Sequence, residues 1–159
     1  SPSEVLSSVN EELLTDLNGK TFVSMTYGIL DVNHRKIIWA RAGHNPSILY
    51  NIHTKELRSL KPPGMVAGLR DTFLFRNTLR EEELILHSGD IFLMYTDGLT
   101  ETANRQNEPY RQEKLEDVIK AWGHLDVNDL LDRIMDSART YRGGGPLTDD
   151  ITLLAIKVE

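Results

Sequence analysis

No cysteine occurs among the 159 residues, so a disulfide framework, a thiolate metal site and a sulfur nucleophile are all excluded. Positive charge is also short: 18 Lys and Arg stand against 24 Asp and Glu, for a net charge of −6. The basic residues are scattered, whereas nucleic-acid backbones are bound by clustered Lys and Arg, so no nucleic-acid partner is expected. An acidic balance suits cations better. No apolar run approaches the roughly 20 residues that span a bilayer, so no membrane crossing is expected within this segment. A charged start followed by an apolar stretch is missing too, and the expectation from that is a cytoplasmic protein. What is present is a chain 40% hydrophobic and 26% charged, long enough for one compact domain over residues 1–159 and too short for two.

The chain opens on a helix signal. Ser1 reads as N-cap, Pro2 as the first helical residue and Glu4 as the partner that closes a capping box. Val5, Leu6, Val9, Leu13, Leu14 and Leu17 follow at helical spacing, and Asn18-Gly19 stops the helix. From Thr21 to about Leu86 the pattern becomes β. Phe22–Asp31 and Arg35–Ala42 form one expected hairpin, and Ser47–Asn51 with Glu56–Leu60 form another, around His53-Thr54-Lys55. Lys61-Pro62-Pro63-Gly64 is a loop. Thr72–Leu79 and Glu83–Leu86 read as strands, and Asp90–Thr96 as a strand buried on both faces. Helices are expected over Tyr110–Trp122 and, capped by Asp126, over Asp126–Tyr141. Arg142 to Pro146 breaks the pattern and Asp150–Val158 returns as a strand. The layout is α+β with helices packed on sheet faces. Trp39 and Trp122 fall in apolar patterns and are expected in the core.

Two acidic constellations stand out. Thr96-Asp97-Gly98-Leu99-Thr100-Glu101 follows the buried strand directly, and a carboxylate at a rigid strand end suits a hard cation or a water. An ordinary strand-ending Asp-Gly turn is the other reading. Thr148-Asp149-Asp150-Ile151-Thr152 places two adjacent carboxylates between a glycine-rich loop and a strand. Successive residues of extended chain face opposite ways, so only one of them faces a given site; a solvated acidic turn is again the alternative. His44 and Asn45, in Gly43-His44-Asn45-Pro46, could donate a proton or meet phosphate, but a structured turn with a locally bonded imidazole is preferred. Gly143 to Gly145 lack the following helix and Lys of a P-loop.

Taken together, these segments resemble the metal-dependent serine/threonine protein phosphatases of the PPM or type 2C family, and in particular its bacterial SpoIIE/RsbU-like branch. The residues that carry the resemblance are Phe22 to Asp31, Ala42-Gly43-His44-Asn45-Pro46, Gly89 to Glu101 and Thr148 to Thr152, in the expected order along nearly the whole chain. The resemblance implies an αββα sandwich of two antiparallel sheets flanked by helices, with a two-metal Mn²⁺ or Mg²⁺ site at one edge. By position, Asp97 and Asp149 resemble the family's metal ligands, with Asp150 the neighbour of the second and Gly98 the glycine of the Asp-Gly motif. It also implies hydrolysis of phosphoserine or phosphothreonine on a regulatory protein of the anti-sigma-factor antagonist type, by direct attack of a metal-activated water. Oxygen-only ligands agree, since they select Mg²⁺ or Mn²⁺ over zinc.

One family feature has no counterpart here: the Asp-x-Ser-Gly-His-Gly motif whose aspartate bridges both metals. The expectation is therefore an N-terminally incomplete domain, weakly active or inactive by itself, whose open sheet edge invites pairing with a second copy of the chain as a homodimer. A non-catalytic binding module that keeps the fold is the competing reading.

Overall fold

The computed structural model describes residues 1–17, 21–69, 71–147 and 149–159. The elements in chain order begin with α1 (Pro2–Asp16), β1 (Met25–Asp31), β2 (Lys36–Ala42), β3 (Ser47–Asn51), β4 (Leu57–Leu60) and α2 (Thr72–Thr78). They continue with β5 (Glu81–Ile85), β6 (Asp90–Tyr95), α3 (Asp97–Thr100), α4 (Arg111–Trp122), α5 (Val127–Arg142) and β7 (Leu153–Lys157). The fold class is the expected one, α+β with two antiparallel sheets and, among the described residues, five helices. The chain divides into two compact units, residues 1–46 with 61–87 and residues 47–60 with 88–159.

The first unit is a three-stranded sheet in the order β1-β2-β5, with α1 against it. Its register pairs Tyr27 with Ala40 and Ile29 with Ile38, then Ile38 with Glu83. The capping box at the start of α1 forms as expected, with the Glu4 amide donating to Ser1 Oγ and Glu4 in turn accepting from the Ser1 backbone. The expected stop at Asn18-Gly19 lies outside the described residues. The core consists of Leu6, Ala40, Ala42, Ala67, Phe75 and Leu79. Trp39 is fully buried, as expected.

Thr72–Leu79 corrects the sequence reading, because it is a helix over Thr72–Thr78 and not a strand. Two phenylalanines two residues apart mimic strand alternation, but only Phe75 is buried while Phe73 is 78% exposed. The helix forms because Asp71 accepts from the Leu74 amide at 2.9 Å and so caps its N-terminus, a signal of the type that outweighs weak β propensity in so short a segment.

The second unit is a four-stranded sheet in the order β4-β3-β6-β7. β6 lies between β3 and β7, pairing Leu93 with Ile48 on one side and with Ala155 on the other. β6 is buried along nearly its whole length, as its continuous apolar run implies. α4 and α5 supply Leu115, Ile119, Leu130, Ile134 and Ala138 to the core, against Ile48, Tyr50, Ile91, Leu93 and Tyr95 of the sheet. Asp126 caps α5 as expected, accepting from the Asn128 amide. Gly143 ends the helix in the left-handed conformation at φ 63°, a position that glycine takes without the Cβ penalty. Trp122 is a second correction: it is 39% exposed, with the Arg133 guanidinium stacked 4.7 Å from its ring. It closes α4 at the surface and does not enter the core.

Candidate metal centre

The two acidic segments meet at the end of β6. Thr96, which follows the strand, pairs through its backbone amide with the Thr152 carbonyl at 3.1 Å. Its hydroxyl donates to the Asp150 carbonyl at 3.1 Å and accepts from the Thr152 amide at 2.9 Å. One β-branched side chain thus ties the segment after β6 to the segment before β7. This also explains why β7 begins at Leu153 and not at Asp150: residues 150–152 are engaged with Thr96 ahead of the regular ladder.

Asp97 and Gly98 open α3, a four-residue helix, and do not form the strand-ending turn that is the alternative reading of the sequence. Gly98 is buried, and a Cβ there would overlap the Asp150 carbonyl oxygen and reach 3.3 Å from the Asp149 carbonyl carbon. Glycine is required at this position for close backbone approach. A left-handed φ is not involved, because Gly98 is absent from the positive-φ glycines. Asp97 is therefore held one residue from a backbone contact with Asp149 and Asp150.

All three carboxylates are exposed. The Asp149 side chain accepts from the Asp150 amide at 2.8 Å, which fixes the local bend. Asp97 and Asp150 engage neighbours through their backbones, and no basic side chain pairs with any of the three among the described residues. The donor set is oxygen only and so fits Mg²⁺ or Mn²⁺ in kind. It is short in number, because no group of three or more acidic or imidazole side chains is placed to hold one ion among the described residues.

His44 and Asn45 belong to the first unit. Gly43 has φ +71° and its amide donates to the Gly64 carbonyl at 3.1 Å. The buried Arg41 fastens the turn from below, donating to the His44 carbonyl at 2.6 Å and to the Pro62 carbonyl at 3.0 Å. His44 Nδ1 lies 3.0 Å from Ser24 Oγ, and Asn45 Nδ2 is buried without a hydrogen bond. Sequence reasoning overlooked Arg41 and the double role of Thr96. A lone arginine at the end of an apolar strand, and a threonine next to Asp-Gly, are the signals that mark them.

The whole chain, residues 1–159, matches the family described as Stage II sporulation protein E (SpoIIE). The chain belongs to that family. The phosphoserine phosphatase RsbU of Bacillus subtilis is 23% identical to it over 156 residues, which cover 98% of this chain and 45% of RsbU. Among solved structures, the SiaA PP2C domain of Pseudomonas aeruginosa superposes with a TM-score of 0.84 at 19% identity, covering all of this chain and 61% of the other. The RsbU and RsbW domains of Rv1364c from Mycobacterium tuberculosis give 0.72 at 25% identity, over 98% of this chain and 41% of that one. The manganese-presoaked phosphatase domain of SpoIIE from Bacillus subtilis gives 0.66 at 15% identity, over 100% and 66%. The chain thus spans about half the length of RsbU, and the fold is that of PP2C domains.

Proposed function

We propose that this chain forms part of a metal-dependent protein phosphatase that hydrolyses phosphoserine or phosphothreonine on a regulatory protein. The observation that carries the reading is the seat of Gly98 on the Asp150 carbonyl, which brings Asp97 together with Asp149 and Asp150. RsbU is named a phosphoserine phosphatase and the SpoIIE domain was soaked with manganese, which supports both the reaction and the cation. Asp97 and Asp149 would hold Mn²⁺ or Mg²⁺, with Asp150 beside them. Such ions, when bound, acidify water and neutralise phosphate charge, so that water can attack phosphorus directly. The work of the protein itself is positional: Thr96 and Gly98 lock the two ligand-bearing segments into one geometry, and β6 supplies the rigid base.

Among the described residues no group of three or more acidic or imidazole side chains is placed to hold one ion, and weak activity of this chain by itself is part of the proposal. The same shortage favours a second reading, a binding module that keeps the fold without catalysis. The partner in either case is a phosphorylated regulatory protein of the anti-sigma-factor antagonist type, a reading supported by the joining of RsbU and RsbW domains in Rv1364c. Among the described residues β1 lies at an edge of its sheet, and that is where a second copy of the chain would add a strand.

The test is hydrolysis of p-nitrophenyl phosphate with Mn²⁺ by the full-length protein, alongside Asp97→Asn. Loss of a charged ligand is expected to lower the rate roughly a hundredfold or more. Equal rates for the two proteins would eliminate the catalytic reading and leave the binding module.

A further inference from the structure

A cavity of about 190 Å³ lies in the second unit beside the candidate metal centre. Its apolar lining comes from Met135, Ala138, Leu147 and Ile151, and Arg139 and Arg142 also line it. Two connections place it next to the aspartates. Ile151 directly follows Asp150, and Thr102, also in the lining, donates to the Gly98 carbonyl at 2.7 Å. The cavity is therefore built on the same backbone that positions the carboxylates.

Its chemistry is distinct from theirs. Among the described residues no carboxylate lines it, and Arg142 Nε is buried and makes no hydrogen bond with any of them. Arg139 pairs with Asp136 at 3.2 Å, but both side chains are largely exposed, so that pair is weak and exchangeable. A desolvated guanidinium donor without an acceptor is unfavourable until an anion reaches it. The volume exceeds the roughly 150 Å³ apolar cavity that admits benzene, so one side chain the size of Leu or Phe fits.

We propose that this cavity is a docking subsite for the phosphoprotein, accepting an apolar side chain next to an Asp or Glu, within about three residues of the phosphorylated Ser or Thr, the reach set by extended chain at roughly 3.3 Å per residue. The proposal rests on the phosphatase reading above. It follows from charge complementarity: a chain of net charge −6 with three unneutralised aspartates repels acidic peptides generally, and the two arginines make this the place where an acidic neighbour is favoured. The planar guanidinium fork suits a carboxylate in particular.

The experiment is fluorescence anisotropy in EDTA with the full chain and labelled phosphoserine peptides carrying Leu-Asp, Ala-Asp or Leu-Lys two residues from the phosphoserine, on either side in separate sets. The Leu-Asp peptide is expected to bind about tenfold tighter than either of the others in one set. Arg142→Gln should bring the Asp/Lys discrimination to within about twofold. Because Arg142 is partly buried, Arg139→Gln at the exposed rim is the second variant, with folding checked by circular dichroism, and it should weaken the same discrimination in part. Equal binding of all three peptides by the wild type overturns the proposal. So does full Asp/Lys discrimination in both variants, and a preference for Leu with no dependence on the acid would mark a small apolar ligand in its place. The phosphatase reading fails separately: absence of p-nitrophenyl phosphate hydrolysis in the full-length protein removes catalysis, whereas hydrolysis without peptide discrimination removes only the subsite.

Discussion

The two sheets are built to different standards. Among the described residues, twelve buried residues of the second unit form one cluster, with three tyrosines and side chains from two long helices. In the first unit the cluster has six, and three of those are alanines. The outer strand β1 of the first unit also leaves apolar side chains in solvent, with Tyr27 40% and Ile29 47% exposed, while the central strand β6 of the second is buried along nearly its whole length. The candidate ligands hang from the better-packed sheet. A site that must hold cations to within a fraction of an ångström gains from a base that cannot shift, whereas an open edge with exposed apolar residues is suited to taking on a further strand.

The contrast breaks most visibly through the cores. Leu93→Ala removes a fully buried side chain from the middle of β6 and should cost about 3–5 kcal/mol, near the top of the range for such truncations, because neighbours on β3, β7 and the helices cannot all collapse into the space. Leu6→Ala, on the helix α1 that packs against the first sheet, should cost about 2–3 kcal/mol, since α1 can settle toward the alanine-lined strand. Urea unfolding measures the totals, and native-state hydrogen exchange should show the first unit opening at lower free energy. A greater loss at Leu6 than at Leu93 would reverse the ranking.

A narrower comparison uses two glycines, each with backbone where a Cβ would go. A Cβ on Gly98 overlaps the Asp150 carbonyl and one on Gly64 overlaps the Arg41 carbonyl. Either Gly→Ala change should destabilise by about 1–3 kcal/mol through overpacking. The difference should appear in metal affinity. Gly98→Ala displaces the ligand-bearing segments and is expected to weaken Mn²⁺ binding roughly 10- to 100-fold, while Gly64→Ala leaves it within about twofold. Calorimetric titration of Mn²⁺ into the full-length protein distinguishes them, and equal effects would show that Gly98 has no special relation to the site.

Most elements with strong local signals were legible in the sequence. The Ser1 to Glu4 capping box and the Asp126 cap of α5 rest on contacts within a few residues, the strand β6 is marked by an unbroken apolar run, and each is found. The misreadings share a cause. Thr72–Thr78 and Trp122 depend on which apolar side chain finds a place in the core, which is set by distant parts of the chain and not by local pattern. That the two aspartate segments share one site is implied by the family resemblance, whereas the contacts that join them are not legible in any local pattern. Their meeting depends on Thr96 reaching Asp150 and Thr152, more than fifty residues away, and on Gly98 being needed for an approach that no neighbouring residue reveals.

The smallest expected difference between the units is in pH response. In the first unit Glu81, on β5, accepts from the Ser3 hydroxyl at 2.6 Å and the Ser3 amide at 2.8 Å and so ties the start of α1 to the sheet. Those bonds, the hydroxyl first, hold its carboxyl below the ordinary 4.5. A carboxyl depressed in the folded state contributes its full stabilisation above the unfolded value, and the contribution is lost as pH falls through the folded one. Since Glu81 is exposed, the amount is at most about 1 kcal/mol. In the second unit burial, aided by Glu116 and Glu113, pushes Tyr95 up to about 12. A raised tyrosine contributes below its ordinary value of 10 and loses that contribution as pH rises toward the folded one. Acid should therefore loosen α1 first and alkali should loosen the second sheet. Glu81→Gln should flatten the acid limb of the stability curve below the ordinary carboxyl value of 4.5 without altering the alkaline limb, and Tyr95→Phe should do the converse. Thermal unfolding across pH, followed by exchange of the α1 amides, reads both effects. An acid limb unchanged in Glu81→Gln would show that the Ser3 contact does not couple the helix to the sheet.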